Sequence, residues 1–91
     1  KSRIIIAYEP VWSIGTGIIP KNSELDKNIN FINEVVKNYT KLKKVKILYG
    51  GSVNSKNIQS LNTINSLDGY LIGGASQNAK KLIDIVKKTY N

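Results

Sequence analysis

Ile4-Ile5-Ile6-Ala7-Tyr8-Glu9-Pro10-Val11-Trp12-Ser13-Ile14-Gly15-Thr16-Gly17 is the stretch that decides the fold of this 91-residue chain. It joins an apolar, β-branched run to one carboxylate, a proline and a glycine-containing tip. The run is continuously apolar, as is typical of strands buried on both faces of a parallel sheet. Glu9 is the only acidic residue among the first 23. We therefore predict a buried strand over residues 3–8 that ends in an acid and opens into a loop over residues 9–20.

Two more strands, over residues 45–49 and 70–72, alternate with helices that we predict from apolar residues spaced by three and four. The first helix should begin at Ser23, a favourable N-cap residue, and end near Tyr39. Asn54 or Ser55 should cap the second helix, and the last helix should cover about residues 78–89. The apolar positions of the three helices are Leu25, Ile29, Ile32, Val36 and Tyr39, then Ile58, Leu61 and Ile64, then Ala79, Leu82, Ile83 and Val86.

This strand-helix repetition predicts an α/β fold with three parallel strands and right-handed crossovers. Three such units leave two open sheet edges, which is unfavourable for a complete fold. The chain also contains no methionine and begins with Lys1, directly before the first predicted strand. We therefore expect the sequence to be a piece of a longer protein.

Composition excludes several kinds of site. The chain has no cysteine and no histidine, so it offers no disulfide, no thiolate metal site and no Ser-His-Asp triad. No apolar run approaches the length of a membrane span, and no signal peptide is evident, so we expect a soluble, cytoplasmic protein. The net charge of +8 leaves two interpretations open. One is an anionic partner such as a nucleic acid or a phosphorylated substrate, and the other is solvated lysines on helix faces.

Glycines mark the carboxyl end of every predicted strand, where ligands bind in α/β proteins. They are Gly15 and Gly17, Gly50 and Gly51, and Gly73 and Gly74. Backbone N–H groups of such turns bind anions without a positive side chain, and Ser52 could add a hydroxyl. The last two pairs together suggest one phosphate held between adjacent loops, although ordinary tight turns are an alternative.

Glu9 has two interpretations from its position alone. It could be a catalytic acid or base at the edge of a sheet, or a buried carboxylate held in a structural ion pair. Trp12 is more typical of packing than of chemistry, and Lys46 could pair with an acid.

The motifs resemble one family closely. Ala7-Tyr8-Glu9-Pro10-Val11-Trp12, followed by Ile14-Gly15-Thr16-Gly17, resembles the catalytic-glutamate and lid segment of the triosephosphate isomerases. Tyr49-Gly50-Gly51-Ser52-Val53 resembles the seventh strand-loop motif of that family, and Asp68-Gly69-Tyr70-Leu71-Ile72-Gly73-Gly74-Ala75-Ser76 resembles the eighth. The resemblance implies a partial (β/α)₈ TIM barrel, with residues 1–91 as the C-terminal part of a single barrel domain.

The resemblance also implies a function. Glu9 would be the base that interconverts dihydroxyacetone phosphate and glyceraldehyde 3-phosphate through an enediolate, in a glycolytic isomerase that needs no cofactor or metal. Gly15, Ser52, Gly73 and Gly74 would bind the phosphate, in line with the phosphate site found after strands seven and eight of many such barrels. Residues 10–20 would form a lid, for which this family is a standard example.

The family pattern also limits this expectation. The electrophilic histidine, the active-site lysine and much of the homodimer interface would lie outside these residues, so we expect the 91 residues alone to be inactive. Ile18-Ile19-Pro20 and Lys46 depart from the residues that are frequent in the family. A non-catalytic remnant, or a phosphate-binding module that needs a partner chain, stays open as an alternative, and a nucleic-acid binder is a weaker one. Neither nucleic-acid binding nor a membrane partner is our expectation.

Overall fold

The fold is built on a parallel sheet whose three strands lie side by side in chain order. The computed structural model describes residues 4–11, 20–41 and 45–90. Its elements are β1 (Ile5–Tyr8), α1 (Asn22–Thr40), β2 (Lys46–Gly51), α2 (Ile58–Leu61), β3 (Gly69–Ile72), a 3-10 helix (Gly74–Gln77) and α3 (Ala79–Tyr90). β2 pairs in parallel with both neighbours. The predicted α/β class is therefore confirmed, and the open sheet with its helices is consistent with part of a TIM barrel.

One face of the sheet packs against all three helices. Residues paired across parallel strands share a face because side chains alternate along each strand. The pairs on this face are Ile6 with Ile47, Tyr8 with Tyr49, and Tyr49 with Tyr70. The buried cluster that joins them to the helices comprises Leu25, Ile29, Ile47, Tyr49, Val53, Ile58, Leu61, Ile64 and Ile85. Central strand β2 thus supplies the middle of the core.

The opposite face of the sheet is exposed. Ile5 is 64% exposed and Leu71 is 48% exposed. Ala7, which lies between Ile6 and Tyr8 in β1, is exposed as well. The prediction that the first strand is buried on both faces is therefore wrong for the part of the chain that the structure describes. The physical reason is that its helices all pack on the other side, so the apolar pattern of β1 is satisfied on one face only.

α1 ends at Thr40, close to the predicted Tyr39, but it begins earlier than predicted. Its N-cap residue is Lys21, which makes no side-chain capping bond, and Ser23 lies inside the helix, so the assignment of Ser23 as N-cap is wrong. The Leu25 N–H donates to the Lys21 carbonyl at 2.9 Å, which sets the earlier start. Tyr39, predicted on the apolar face, is 87% exposed.

Among the described residues, no helix is long and apolar enough to cross a membrane.

The first turns of α1 are held by hydrogen bonds to the segment around α2. The Asn22 amide donates to the Ser60 carbonyl and hydroxyl, both at 3.0 Å, and to the Thr63 hydroxyl at 3.3 Å. One turn later, the Ser66 hydroxyl donates to the Asp26 carboxylate. These distant contacts explain why the helix starts at Asn22, because the Asn22 side chain is committed to tertiary partners.

α3 turns a different side to the core than its sequence pattern predicted. Ile85 is 1% exposed, whereas Ile83 and Val86, which the pattern assigned to the buried side, are 52% and 47% exposed. The helix begins after Asn78, whose side-chain oxygen accepts a hydrogen bond from the Lys81 N–H at 3.1 Å. Apolar residues lie on more than one side of this helix, so periodicity alone does not decide which side faces the core.

The Asp68 carboxylate extends the pairing of β2 and β3 beyond the strands themselves. It accepts a hydrogen bond from the N–H of Ile47 at 2.9 Å, and the Asp68 N–H donates to the Ile47 carbonyl at 2.9 Å. Ile47 is fully buried. An unpaired buried N–H costs about 1–3 kcal/mol, so Asp68→Ala should lower the free energy of unfolding by about that amount, measured by urea denaturation.

The matched control for this substitution is Asp84→Ala. Asp84 pairs with Lys88 at 3.6 Å across a largely solvated helix surface. Such pairs contribute about 1 kcal/mol or less. Equal losses of stability in the two variants would contradict the role given to Asp68.

Tyr70 makes stability sensitive to alkaline pH. Burial raises the pKa of its hydroxyl from 10.0 to about 12, and the hydroxyl donates to the Asn62 side-chain oxygen at 2.6 Å. The folded chain therefore holds a proton that the unfolded chain loses. The stabilising contribution is complete below pH 10 and is lost as the pH rises from 10 to 12.

Tyr70→Phe should remove this part of the pH dependence. Urea unfolding at pH 8, 10 and 11 measures it, and the pH 8 value isolates the loss of the hydrogen bond because the ring is then neutral in both states. Parallel curves for the wild type and the variant over this range would show that Tyr70 is not responsible.

Candidate functional site

The carboxyl ends of all three strands meet at one edge of the sheet because the strands are parallel. Glu9 follows β1, Ser52 follows β2, and Gly73 follows β3. The topology thus brings four of the five predicted site residues, Glu9, Ser52, Gly73 and Gly74, to this edge. The fifth, Gly15, lies outside the described residues. So do all residues from 12 to 19, which include Trp12 and most of the lid predicted over residues 10–20.

Glu9 is exposed and lies against the backbone of the neighbouring strand. Its side chain contacts the position where a side chain at Gly50 would be. Pro10, the next residue, is buried, and its ring restricts Glu9 to extended backbone geometry. Because Glu9 is exposed, the alternative interpretation of a buried carboxylate in a structural ion pair does not apply to it.

Two asparagines hold the loop that carries Ser52. The Asn57 amide donates to the Ser52 carbonyl at 2.8 Å, and the Asn57 side-chain oxygen accepts from the Asn54 N–H at 2.9 Å. The Asn54 side chain in turn accepts from the N–H groups of Lys56 and Asn57. Asn54 therefore closes the turn before α2. The prediction that Asn54 or Ser55 caps the helix is wrong, because α2 begins at Ile58 and its N-cap residue is Asn57, which makes no side-chain capping bond.

Gly73 and Gly74 begin the loop after β3 and are both exposed. Among the described residues, no atom lies within 4 Å of a Cβ built on either glycine. The loop is closed by Ser76, whose N–H and hydroxyl both donate to the Gly73 carbonyl. Glycine here leaves open space beside the backbone, which is the arrangement that lets a ligand approach main-chain N–H groups.

A cavity of about 420 Å³ lies between the loops that follow β2 and β3. The described residues that line it are Gly51, Ser52, Val53, Asn54, Ser55, Lys56, Gly74, Ala75, Lys81 and Ile85. It thus joins two of the predicted phosphate-binding residues, Ser52 and Gly74. Glu9 and Gly73 are not among its described lining residues, so the Glu9 carboxylate is not part of this cavity.

Lys56 and Lys81 give the cavity a positive charge, and none of its described lining residues is acidic. Neither lysine is among the site residues that the sequence motifs predict, because an exposed lysine is usually only solvated and no motif distinguishes these two. Lys81 lies in the first turn of α3, whose first turn contains no acidic residue. A cation at a helix N-terminus opposes the helix dipole, and this unusual placement was the signal that could have identified it.

Other chemistry finds less support in the described ranges. No group of three or more acidic, histidine or cysteine side chains is placed to hold a metal ion there. Lys46 is exposed at the start of β2, the end of the strand opposite to the candidate site. The described site therefore combines a carboxylate at a sheet edge with a basic cavity walled by glycine-containing loops.

Comparisons with known proteins point to one family. The sequence model of a family described as triosephosphate isomerase matches residues 1–89. Curated proteins named triosephosphate isomerase are similar over most of the chain. The one from Amoebophilus asiaticus is 42% identical over 88 residues, covering 93% of this chain and 35% of its own length.

Two further relatives carry the same name. The protein from Legionella pneumophila (strain Lens) is 44% identical over 85 residues, covering 91% of this chain and 34% of its own length. The protein from Dictyostelium discoideum is 43% identical over 89 residues, covering 94% and 35%. The chain spans about a third of the length of these relatives. With the match over nearly all its residues and the parallel βα architecture, the chain belongs to the triosephosphate isomerase family.

Proposed function

We propose that the complete protein carrying this chain interconverts dihydroxyacetone phosphate and glyceraldehyde 3-phosphate, with Glu9 as the base. The observation that carries the proposal is the family match over residues 1–89. The position of Glu9 at the carboxyl edge of the sheet supports it, because that edge also carries the basic cavity between the loops.

The chemistry needs one carboxylate that can take and return a proton. Glu9 removes a proton from the carbon next to the carbonyl, and the C–H electron pair forms a double bond between the two carbons. The carbonyl electrons move to the oxygen, which gives an enediolate. Return of the proton to the neighbouring carbon, with transfer of a proton between the two oxygens, gives the isomer. No atom is gained or lost.

The cavity residues would hold the phosphate group while the carbons react. Ser52, Gly74 and the adjacent loop backbone supply N–H and hydroxyl donors, while Lys56 and Lys81 supply positive charge. Oriented binding of a remote phosphate keeps the reacting carbons near the base. Donors that stabilise the negative enediolate oxygen are a large part of such catalysis, and in this proposal they come from the two thirds of the protein outside this chain.

Replacing Glu9 tests its role as the base. General-base catalysis contributes about 10²–10⁴-fold, so Glu9→Gln should lower kcat of the complete protein by at least about 10²-fold. Because the phosphate contacts remain, KM should change little. Glu9→Asp keeps the carboxylate but withdraws it by one methylene group, so its kcat should fall between the two. A coupled isomerase assay measures all three proteins.

Glu34→Gln is the matched control, since Glu34 is exposed on α1, away from the strand ends. It should leave both kinetic constants unchanged. Near-normal turnover of Glu9→Gln would contradict the assignment of the base. Absence of isomerase activity in the complete wild-type protein, with phosphate binding retained, would instead favour a non-catalytic phosphate-binding module.

Removing Lys56 and Lys81 tests the phosphate-binding role of the cavity. Exposed charge pairs each contribute up to about 1 kcal/mol, so Lys56→Ala/Lys81→Ala should weaken binding of inorganic phosphate to the complete protein by about 3-fold to 30-fold. Isothermal titration calorimetry at low ionic strength measures the effect. Added salt should reduce the difference, because screening shortens the range of exposed charges.

Lys80→Ala is the control for a change of net charge. Lys80 neighbours Lys81 on α3 and is exposed, but it is not among the described residues that line the cavity. It should weaken phosphate binding by less than either cavity lysine. Equal effects of Lys80→Ala and Lys81→Ala would indicate only a general attraction of phosphate to positive charge. That result would contradict a specific role of the cavity lysines.

A further inference from the structure

The Glu9 side chain occupies the space that a side chain at position 50 would need. A Cβ built on Gly50 would lie 2.7 Å from Cγ of Glu9, and 3.2 Å from both its Cδ and its Oε1. A contact of 2.7 Å between two carbon atoms is far inside their normal separation of about 3.5–4.0 Å. The Glu9 side chain therefore lies directly on the backbone of β2.

The backbone at Gly50 does not itself require glycine. Gly50 lies within β2 and pairs with Leu71 of β3 in regular parallel register, and its φ is not in the left-handed region. A glycine inside a strand makes the strand less stable, because it has no side chain that can pack against neighbours. The close approach of Glu9 is thus the feature of the described structure that accounts for glycine at this position.

Other glycines show that this crowding is particular to Gly50. A Cβ on Gly69 would meet only the end of the flexible Leu48 side chain, at 3.0 Å, and a Cβ on Gly74 would have no described neighbour within 4 Å. Gly50 is also buried, whereas Glu9 is exposed. The Glu9 side chain therefore lies on a buried glycine backbone that is held by strand pairing, while the rest of this side chain is open to solvent.

We propose that Gly50 is a positioning residue for Glu9, which places the Glu9 carboxyl by leaving the space above β2 empty. Any side chain at position 50 would displace the Cγ, and the carboxyl with it, away from this edge of the sheet. The consequence for catalysis depends on the proposed function, in which Glu9 is the base. The contact itself does not depend on that function.

The test is a double-mutant cycle in the complete protein. Gly50→Ala should lower the melting temperature when Glu9 is present. In the Glu9→Ala background, which lacks the Cγ, the same substitution should lower it little or not at all. Gly69→Ala is the matched control, and its effect should be equal in the two backgrounds because Gly69 meets Leu48 instead of Glu9.

The kinetic measurement concerns the position of the carboxyl. A displacement of about 1 Å can reduce turnover by about 10²-fold, so Gly50→Ala should lower kcat by about 10-fold to 100-fold while KM changes little. Should Gly50→Ala fail to fold, recovery of folding in Gly50→Ala/Glu9→Ala would support the proposal, and failure to recover would overturn it.

Two results would overturn the positioning role. One is an equal effect of Gly50→Ala on melting temperature in both backgrounds. The other is normal turnover of Gly50→Ala despite clear coupling to Glu9. A wild-type protein without isomerase activity would count against the proposed function alone, because the coupling of melting temperatures would still decide whether Gly50 places Glu9.

Discussion

Parallel pairing of β2 with strands on both sides is the constraint on which the rest of the structure depends. It places the residues after each strand at the same edge and turns one face of each strand toward the helices. β2 is held most firmly, since Ile47 and Tyr49 are fully buried. The Asp68 carboxylate adds a further hydrogen bond beyond the ladder. Whatever chemistry occurs at the edge therefore rests on a strand that is fixed on both sides.

The order of the elements and the edge that carries the candidate site could be predicted because both follow from local sequence. Apolar runs that end in glycine or an acid mark the strand ends, and parallel topology then brings those ends together. Ile58, Leu61 and Ile64 are buried as predicted, although Ile64 lies beyond α2, which ends at Leu61. The roles of Glu9, Ser52, Gly73 and Gly74 stay predictions, and Gly15 lies outside the described residues.

What could not be predicted depends on contacts between distant parts of the chain. Asn22 binds Ser60, 38 residues away, so the start of α1 reflects a tertiary contact rather than the best local cap. Likewise Ile85 is buried whereas Ile83 is 52% exposed, and helical spacing alone does not decide which side of α3 faces the core. The exposed face of β1 has another cause. Its apolar pattern suits a strand covered on both sides, and the chain spans about a third of the length of its relatives.

The glycines near the strand ends look alike in the sequence but have different physical reasons. Gly50 is crowded, since the Glu9 side chain fills the place of its missing Cβ. Gly74 is open, since no described atom approaches its missing Cβ and the loop faces a basic cavity. One glycine makes room for a side chain of the protein itself, and the other leaves open space beside a basic cavity. A glycine pair at a strand end therefore predicts a site, but only the neighbours of each absent Cβ distinguish a positioning glycine from a binding one.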